Sequence, residues 1–408
     1  MGFVFEQECP QCGAPIVLDE TDRILCCSYC NTNNYLSSDE SFRFILPGKE
    51  LEGESVYVPY LRFKGCAYSC LLNGIQHRII DITHLATPCN ILPPSLGLRP
   101  QAMKMKFADP NTPGTFLKSF LKTDDILNKA AKFSISANET NTFHQTLIGE
   151  TISRIYLPLS IKEDSVFDAI TGDPLAKIPS GQEIFESAHD QNNQWRPNFL
   201  PTICPQCGWN LSGEKDSIIL VCKNCDTAWK NRDHQFVPVK FKILPTRRED
   251  SLFLPFWQIT AGTTNGEINS VADFLRFTNQ PRVAQQKQTE QKMNFWVPAF
   301  KVKPQIFLRL ASQLTIAQPE ISEGNSIPKQ EIHPATLPES EAVQCLKLIL
   351  ANTTTQKKKM WPLLPEINFS VTDLTLVYIP FSSSGYGLYQ EEMRININKQ
   401  VLKFGRHL

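Results

Sequence analysis

The sequence has no excess charge of either sign: 41 Lys and Arg balance 41 Asp and Glu over 408 residues. Chains that bind nucleic acid usually show a basic excess or a basic stripe, so a charge-driven polyanion binder is not the first expectation. No apolar run approaches the roughly 18 residues needed to span a bilayer as a helix. The opening "MGFVFEQECPQCG" has no basic stretch followed by an apolar core, and Glu6 stands where a myristoylation pattern has Ser or Thr. The expectation is a cytoplasmic chain without a membrane span. Catalytic signatures are missing too. "GTTNG" at 262–266 lacks the Lys-Ser/Thr of a phosphate loop and reads as a turn, and neither G-x-S-x-G nor H-E-x-x-H occurs. Glycine (19) is scarcer than proline (29), which favours many short strands and turns over long helices.

Cysteine is what the chain has in quantity. Eight of its 13 cysteines form four C-x2-C pairs: Cys9 and Cys12, Cys27 and Cys30, Cys204 and Cys207, Cys222 and Cys225. The inner gaps match, since 27 − 12 and 222 − 207 both equal 15. A C-x2-C turn sets two thiolates about one tetrahedral edge apart, and a second turn completes the tetrahedron. Structural disulfides are the other use of such pairs, but they belong to oxidising compartments.

"CPQCGAPIVLDETDRILCCSYC" and "CPQCGWNLSGEKDSIILVCKNC" resemble the zinc-ribbon family, over about 22 residues each. Members occur in transcription factors, ribosomal proteins and primosomal-type proteins, so the motif is specific for metal and unspecific for function. The resemblance implies two structural Zn ions. One would be held by Cys9, Cys12, Cys27 and Cys30, the other by Cys204, Cys207, Cys222 and Cys225. Cys27 rather than Cys26 is the expected ligand, because it keeps the x2 spacing and matches Cys222. Rubredoxin-like iron sites use related knuckles. Four filled positions leave no place for water, which implies structural rather than catalytic metal.

The two ribbons stand in register: 204 − 9, 207 − 12, 222 − 27 and 225 − 30 all equal 195. The likeness runs on through "FRFILPGKELEGESVYVPYLRFKG" and "VKFKILPTRREDSLFLPFWQITAG", so we read a tandem duplication. An aromatic-aliphatic-proline string recurs five times, at Val56, Ile155, Leu252, Phe295 and Val377. Proline removes a ladder donor, so these strings predict edge strands or bulges opening antiparallel meanders. Asn73-Gly74 predicts a tight hairpin, and "MRININ" and "QVLKF" predict a strand pair near the C-terminus. Helical spacing appears over 113–133, 268–279 and 338–352. Residues 284–293 read as a linker or exposed helix, and 317–340 as a proline-rich connection.

The fold class expected is β-rich α+β, with two tandem zinc ribbons each followed by an antiparallel β-meander domain and a few helices. The expected segments are ribbon 1 (1–47), β-rich domain 1 (48–195), ribbon 2 (196–246) and β-rich domain 2 (247–408). Cys66, Cys70, His77, His84 and Cys89 offer a candidate third metal or thiol cluster, with buried cysteine plus surface histidine as the plainer reading. Trp209 and Trp229 are expected to cover the second metal. The functional expectation is a non-catalytic scaffold or adaptor with a protein partner. A nucleic-acid contact through Lys223, Lys230 and Arg232 of the locally basic second ribbon is the alternative. A third possibility is an enzyme with its site between the halves.

Overall fold

The computed structural model describes residues 2–38, 40–49, 52–134, 142–177, 195–321, 324 and 326–405. Glu50 and Leu51 of the first polar turn, residues 322, 323 and 325 of the proline-rich connection, and the last three residues lie outside that set. The chain is β-rich with several helices. It divides into two compact units: Met1–Gly65, Ile80–Phe133 and Glu150–Thr202 form the first, and Cys66–Ile79, Ser134–Gly149 and Ile203–Leu408 the second.

The strands are, in order, β1 (Val4–Glu8), β2 (Pro15–Asp19), β3 (Ile24–Cys26), β4 (Asn33–Ser37), β5 (Phe42–Ile45), β6 (Glu54–Leu71), β7 (Gly74–Leu85), β8 (Met105–Phe107), β9 (Thr115–Phe116), β10 (Thr142–Lys162), β11 (Ser165–Asp168), β12 (Pro174–Lys177) and β13 (Asn198–Pro201). Then come β14 (Ile219–Cys222), β15 (Thr227–Arg232), β16 (Gln235–Val239), β17 (Phe241–Ile243), β18 (Ser251–Thr263), β19 (Asn294–Pro298), β20 (Phe369–Ser384), β21 (Gly387–Gln390) and β22 (Ile395–Asn398). The hairpin expected at Asn73-Gly74 joins β6 to β7.

One sheet runs β12-β11-β10-β5-β8-β1-β2, with β6 pairing β10, β7 and β9. Another runs β19-β18-β20-β21-β22, with β17 pairing β20. The order β5-β10-β6-β7 is therefore repeated as β17-β20-β18-β19. Pairs β5–β10 and β17–β20 are parallel, as are β1–β8 and β6–β9. The other strand pairs of described register are antiparallel, as expected of the meanders, and these parallel pairs make the two large sheets mixed.

All five proline strings are strands, but four of them lie inside a sheet and not at its edge. The chain avoids the missing donor by placing proline where a neighbouring strand stops. The Pro59 carbonyl accepts from Ala86, the residue after β7, and the Pro255 carbonyl accepts from Ala299, the residue after β19. In an antiparallel ladder a residue's nitrogen points the same way as its carbonyl, so both prolines face the end of a partner strand. Pro380 falls between β17, which reaches Tyr378, and β21, whose pairing with β20 extends back only to Ser382. Pro158 falls likewise between β5, which reaches Tyr156, and β11, which ends opposite Leu159. No ladder bond is lost at any of them.

The first unit's core is built on Phe3, Phe5, Phe44, Val58, Tyr60, Ile155 and Leu157. The second unit's core includes Phe256, Trp257, Phe295, Trp296, Trp361 and Tyr378. The buried indoles of Trp257 and Trp361 donate to the Leu337 and Ala351 carbonyls at 2.9 and 3.1 Å. Helices are α1 (Arg99–Ala102), α2 (Thr123–Ser134), α3 (Val271–Phe277), α4 (Gln286–Glu290), α5 (Pro304–Ala317), α6 (Glu339–Gln344), α7 (Leu346–Thr353), α8 (Lys357–Met360) and α9 (Lys399–Gly405). The helical span expected over 113–133 starts only at Thr123, and the one expected over 338–352 breaks at Cys345. "QVLKF" is α9 and not a strand. No helix among the described residues is long and apolar enough to cross a membrane.

Candidate metal centres

Each ribbon begins with a knuckle whose backbone closes on itself. In the first, the Cys9 amide donates to the Ala14 carbonyl at 2.8 Å and the Gly13 amide donates back to the Cys9 carbonyl at 2.9 Å. Gly13 has φ +74°, a left-handed conformation that glycine adopts without Cβ strain. In the second, Cys204 donates to Trp209 at 2.7 Å, Gly208 donates to Cys204 at 2.9 Å, and Gly208 has φ +73°. The return knuckles use Asn31 (φ +56°) and Asp226 (φ +51°), short polar residues that tolerate this region. Both pairs keep the 195-residue offset.

These turns gather Cys9, Cys12, Cys27 and Cys30 in the first unit and Cys204, Cys207, Cys222 and Cys225 in the second. The four sulfurs of each set lie within 4.8 Å of one another. Cys9 and Cys30 are 3.6 Å apart, as are Cys12 and Cys27; Cys204–Cys225 is 3.6 Å and Cys207–Cys222 is 3.5 Å. A zinc–sulfur bond of about 2.3 Å in a tetrahedron sets sulfurs about 3.8 Å apart, so the donor sets fit such an ion. In both, the first and third cysteines are buried, the second is exposed and the fourth is half-buried. Cys26 is exposed at the end of β3, outside the set. Among the described residues these are the two groups of Cys, His and acidic side chains close enough to share a metal.

The surrounding groups favour thiolate at four of the eight cysteines, while burial and the neighbouring sulfurs raise Cys12, Cys222 and Cys225. Burial works against the Cys9 anion, yet the Gln11 and Cys12 amides bring its thiol below the ordinary cysteine value. Burial likewise opposes the Cys204 anion, and the amides of Cys207 and Gln206 overcome it. The hydroxyl of Thr32, then its amide, pulls Cys30 down to about 6. The Asn224 side chain and the Trp209 amide do the same for Cys207, to about 6.

Thr32 and Thr227 were not singled out by sequence reasoning. Thr32 Oγ1 lies 3.0 Å from Cys30 Sγ, and Thr227 Oγ1 lies 3.1 Å from Cys225 Sγ. The signal was present: "CNT" and "CDT" end the two ribbons in register. Trp229 is buried and its indole donates to Thr227 Oγ1 at 2.8 Å. Trp209, expected to cover the second metal, is instead 60% exposed.

A third strand completes each ribbon. In the second, β16 pairs with β15, matching Phe236 to Asn231 and Pro238 to Trp229. In the first, β13 pairs with β4, matching Phe199 to Leu36 and Pro201 to Asn34. Since 231 − 36 and 229 − 34 both equal 195, "FLP" of β13 occupies the register that "FVP" of β16 holds.

The other candidate cluster does not assemble as a metal centre. Cys66, Cys70 and His77 belong to the second unit, whereas His84 and Cys89 belong to the first. Burial pushes the Cys66 and Cys70 thiols up to about 12, which makes them poor nucleophiles. His84 Nδ1 bonds to the Leu85 carbonyl at 2.9 Å, and its Nε2 meets the Lys129 ammonium. The local basic excess of the second ribbon is partly engaged. Lys230 and Arg232 both pair with Glu339, Lys240 with Asp373 and Arg248 with Glu391. Lys223 stays exposed.

Ribbon 1 is anchored by charges that composition alone does not reveal. Glu20, in the turn between β2 and β3, accepts from Arg62 and, at 2.7 Å, from Lys64, both on β6. Arg62 is 0% exposed, grips both Asp81 oxygens at 2.8 Å and lies 5.0 Å from the Phe3 ring centroid. A Cβ on Gly2 would come within 2.8 Å of Glu20 Oε1, so glycine keeps this site tight.

No family model matches the chain, and no curated protein or solved structure matches it either.

Proposed function

We propose that the chain is a non-catalytic zinc-binding scaffold or adaptor, built by tandem duplication of a ribbon-plus-β module and engaging a protein partner. The observation that carries this reading is the pair of four-cysteine sets with matching geometry. Zinc in four thiolates has no open position for water or substrate, so its role there is to fold a module too small for a core of its own. Duplication is supported by the constant offset of the eight cysteines and by the repeated strand order β5-β10-β6-β7 and β17-β20-β18-β19. On this reading the segments 1–47, 48–195, 196–246 and 247–408 are the ribbon and β-rich parts of the two copies, in a cytoplasmic protein.

A protein partner is favoured over nucleic acid on the second ribbon's surface. Ile203, Pro205 and Trp209 are exposed around its first knuckle, while Lys230 and Arg232 are paired with Glu339. The test is purification of the full chain from its native cells, with and without Trp209→Ser. A stoichiometric protein partner lost in the variant supports the reading. A partner-free monomer that binds single- or double-stranded DNA or RNA with a steep salt dependence overturns it.

A further inference from the structure

The two metal centres share exposure and sulfur geometry but differ around the fourth thiolate. A threonine hydroxyl has one proton to give. In the second ribbon the Thr227 oxygen accepts the Trp229 indole N–H at 2.8 Å, which occupies a lone pair and leaves the hydroxyl proton directed at sulfur. Cys225 Sγ lies 3.1 Å away and Cys204 Sγ 3.8 Å away. Trp229 is 7% exposed, so the chain indole–hydroxyl–sulfur runs through a largely dry environment, where such bonds reinforce one another.

In the first ribbon Thr32 has the same distances to sulfur, 3.0 Å to Cys30 and 3.9 Å to Cys9. Position 34, which matches Trp229 at the 195-residue offset, is Asn34, and no donor to Thr32 Oγ1 is found among the described residues. A second difference points the same way. Strand β16 follows β15 directly through Asp233 and His234, both at positive φ. The corresponding strand of the first ribbon, β13, returns only after the whole of the first β-rich segment, so its docking closes a far longer loop.

We infer that the two centres hold metal unequally: Thr227, oriented by Trp229, is a positioning residue that makes the second centre the slow-exchanging one, and the first centre releases its metal first. This rests on the reading that both sets hold zinc. Outer-shell hydrogen bonds of this kind change metal affinity about 10- to 100-fold.

The experiment uses the full chain, with zinc content measured before any chelator is added. Absence of zinc at that stage refutes the zinc reading itself, and a chain that holds one ion is first refilled to two. With two present, an excess of chelator should remove zinc in two phases of equal amplitude, with rates at least about tenfold apart. Cys9→Ser should abolish the fast phase. Thr227→Val, nearly isosteric, and Trp229→Phe should each accelerate the slow phase, while Thr227→Ser, which keeps the hydroxyl, should restore it. A purely structural threonine would not be rescued in that way. A cobalt-loaded sample should show the thiolate charge-transfer band shift with Thr227→Val and not with Thr227→Ser. A single release phase, loss of the slow phase in Cys9→Ser, or an unchanged slow phase in Thr227→Val would each overturn the inference.

Discussion

Glu20→Ala should loosen ribbon 1 from its sheet. The glutamate side chain is 2% exposed and faces the Arg62 guanidinium and the Lys64 ammonium, themselves 0% and 5% exposed. Solvent does little to screen these pairs, so the small value of a surface salt bridge does not apply. Removing one partner of a buried pair costs about 3–5 kcal/mol, chiefly because the remaining charge is stranded. Arg62 keeps its two bonds to Asp81, which places the expected loss near the lower end, about 3 kcal/mol. That corresponds to roughly a hundredfold rise in local opening. Hydrogen exchange read by mass spectrometry over β2, β3 and the middle of β6 measures this directly, without assuming that two units unfold together. Glu20→Gln keeps the shape and the acceptor and should cost less. If Glu20→Ala changes protection in these strands by under about 1 kcal/mol, as an exposed pair would, the buried-network account fails.

Three further outcomes are expected. Cys26→Ser should leave two zinc ions per chain and Cys27→Ser only one, by elemental analysis of the purified variants, since Cys27 and not Cys26 stands in the sulfur set. Burial, and after it the Lys347 charge, lowers His144 to about 4, and its Nε2 has no hydrogen-bond partner among the described residues. Its neutral form is favoured by folding, so stability is intact above the unfolded value of about 6.5 and is lost as pH falls toward 4, by up to about 3 kcal/mol; His144→Phe should flatten that part of the denaturation-versus-pH curve, and an equally steep curve would refute the assignment. Pro380→Val should change stability by less than about 1 kcal/mol in chemical denaturation, because the gap between β17 and β21 needs no donor there; a gain of several kcal/mol would mean that a ladder bond had been missing.

The two four-cysteine sets were legible because their signal is local. Eight cysteines at fixed spacing leave little freedom, and the turn at Asn73-Gly74 is written in two residues. What depends on partners far along the chain was not. Proline in "VYVPYLRFKG" argued for an edge, since a single strand does not reveal that its neighbour ends opposite the proline. Arg62 and Lys64 in the same stretch look like solvated charges until Glu20 and Asp81 arrive from other segments. The parallel pairing of β5 with β10 is equally invisible to periodicity. "QVLKF" alternates well enough for a strand, yet it forms α9, in which Leu402 and Gly405 are buried. Helix α5 carries its signal in Pro304 and the spacing of Phe307, Leu310, Ala311 and Leu314, yet it was not among the helical spans expected.

The most direct test of the account is native mass spectrometry of the full chain with elemental analysis of the same sample. Two zinc ions per chain, falling to one in Cys9→Ser and to one in Cys204→Ser, are the predicted result. A chain that carries no zinc as isolated, carries iron instead, or keeps two ions in either variant contradicts it.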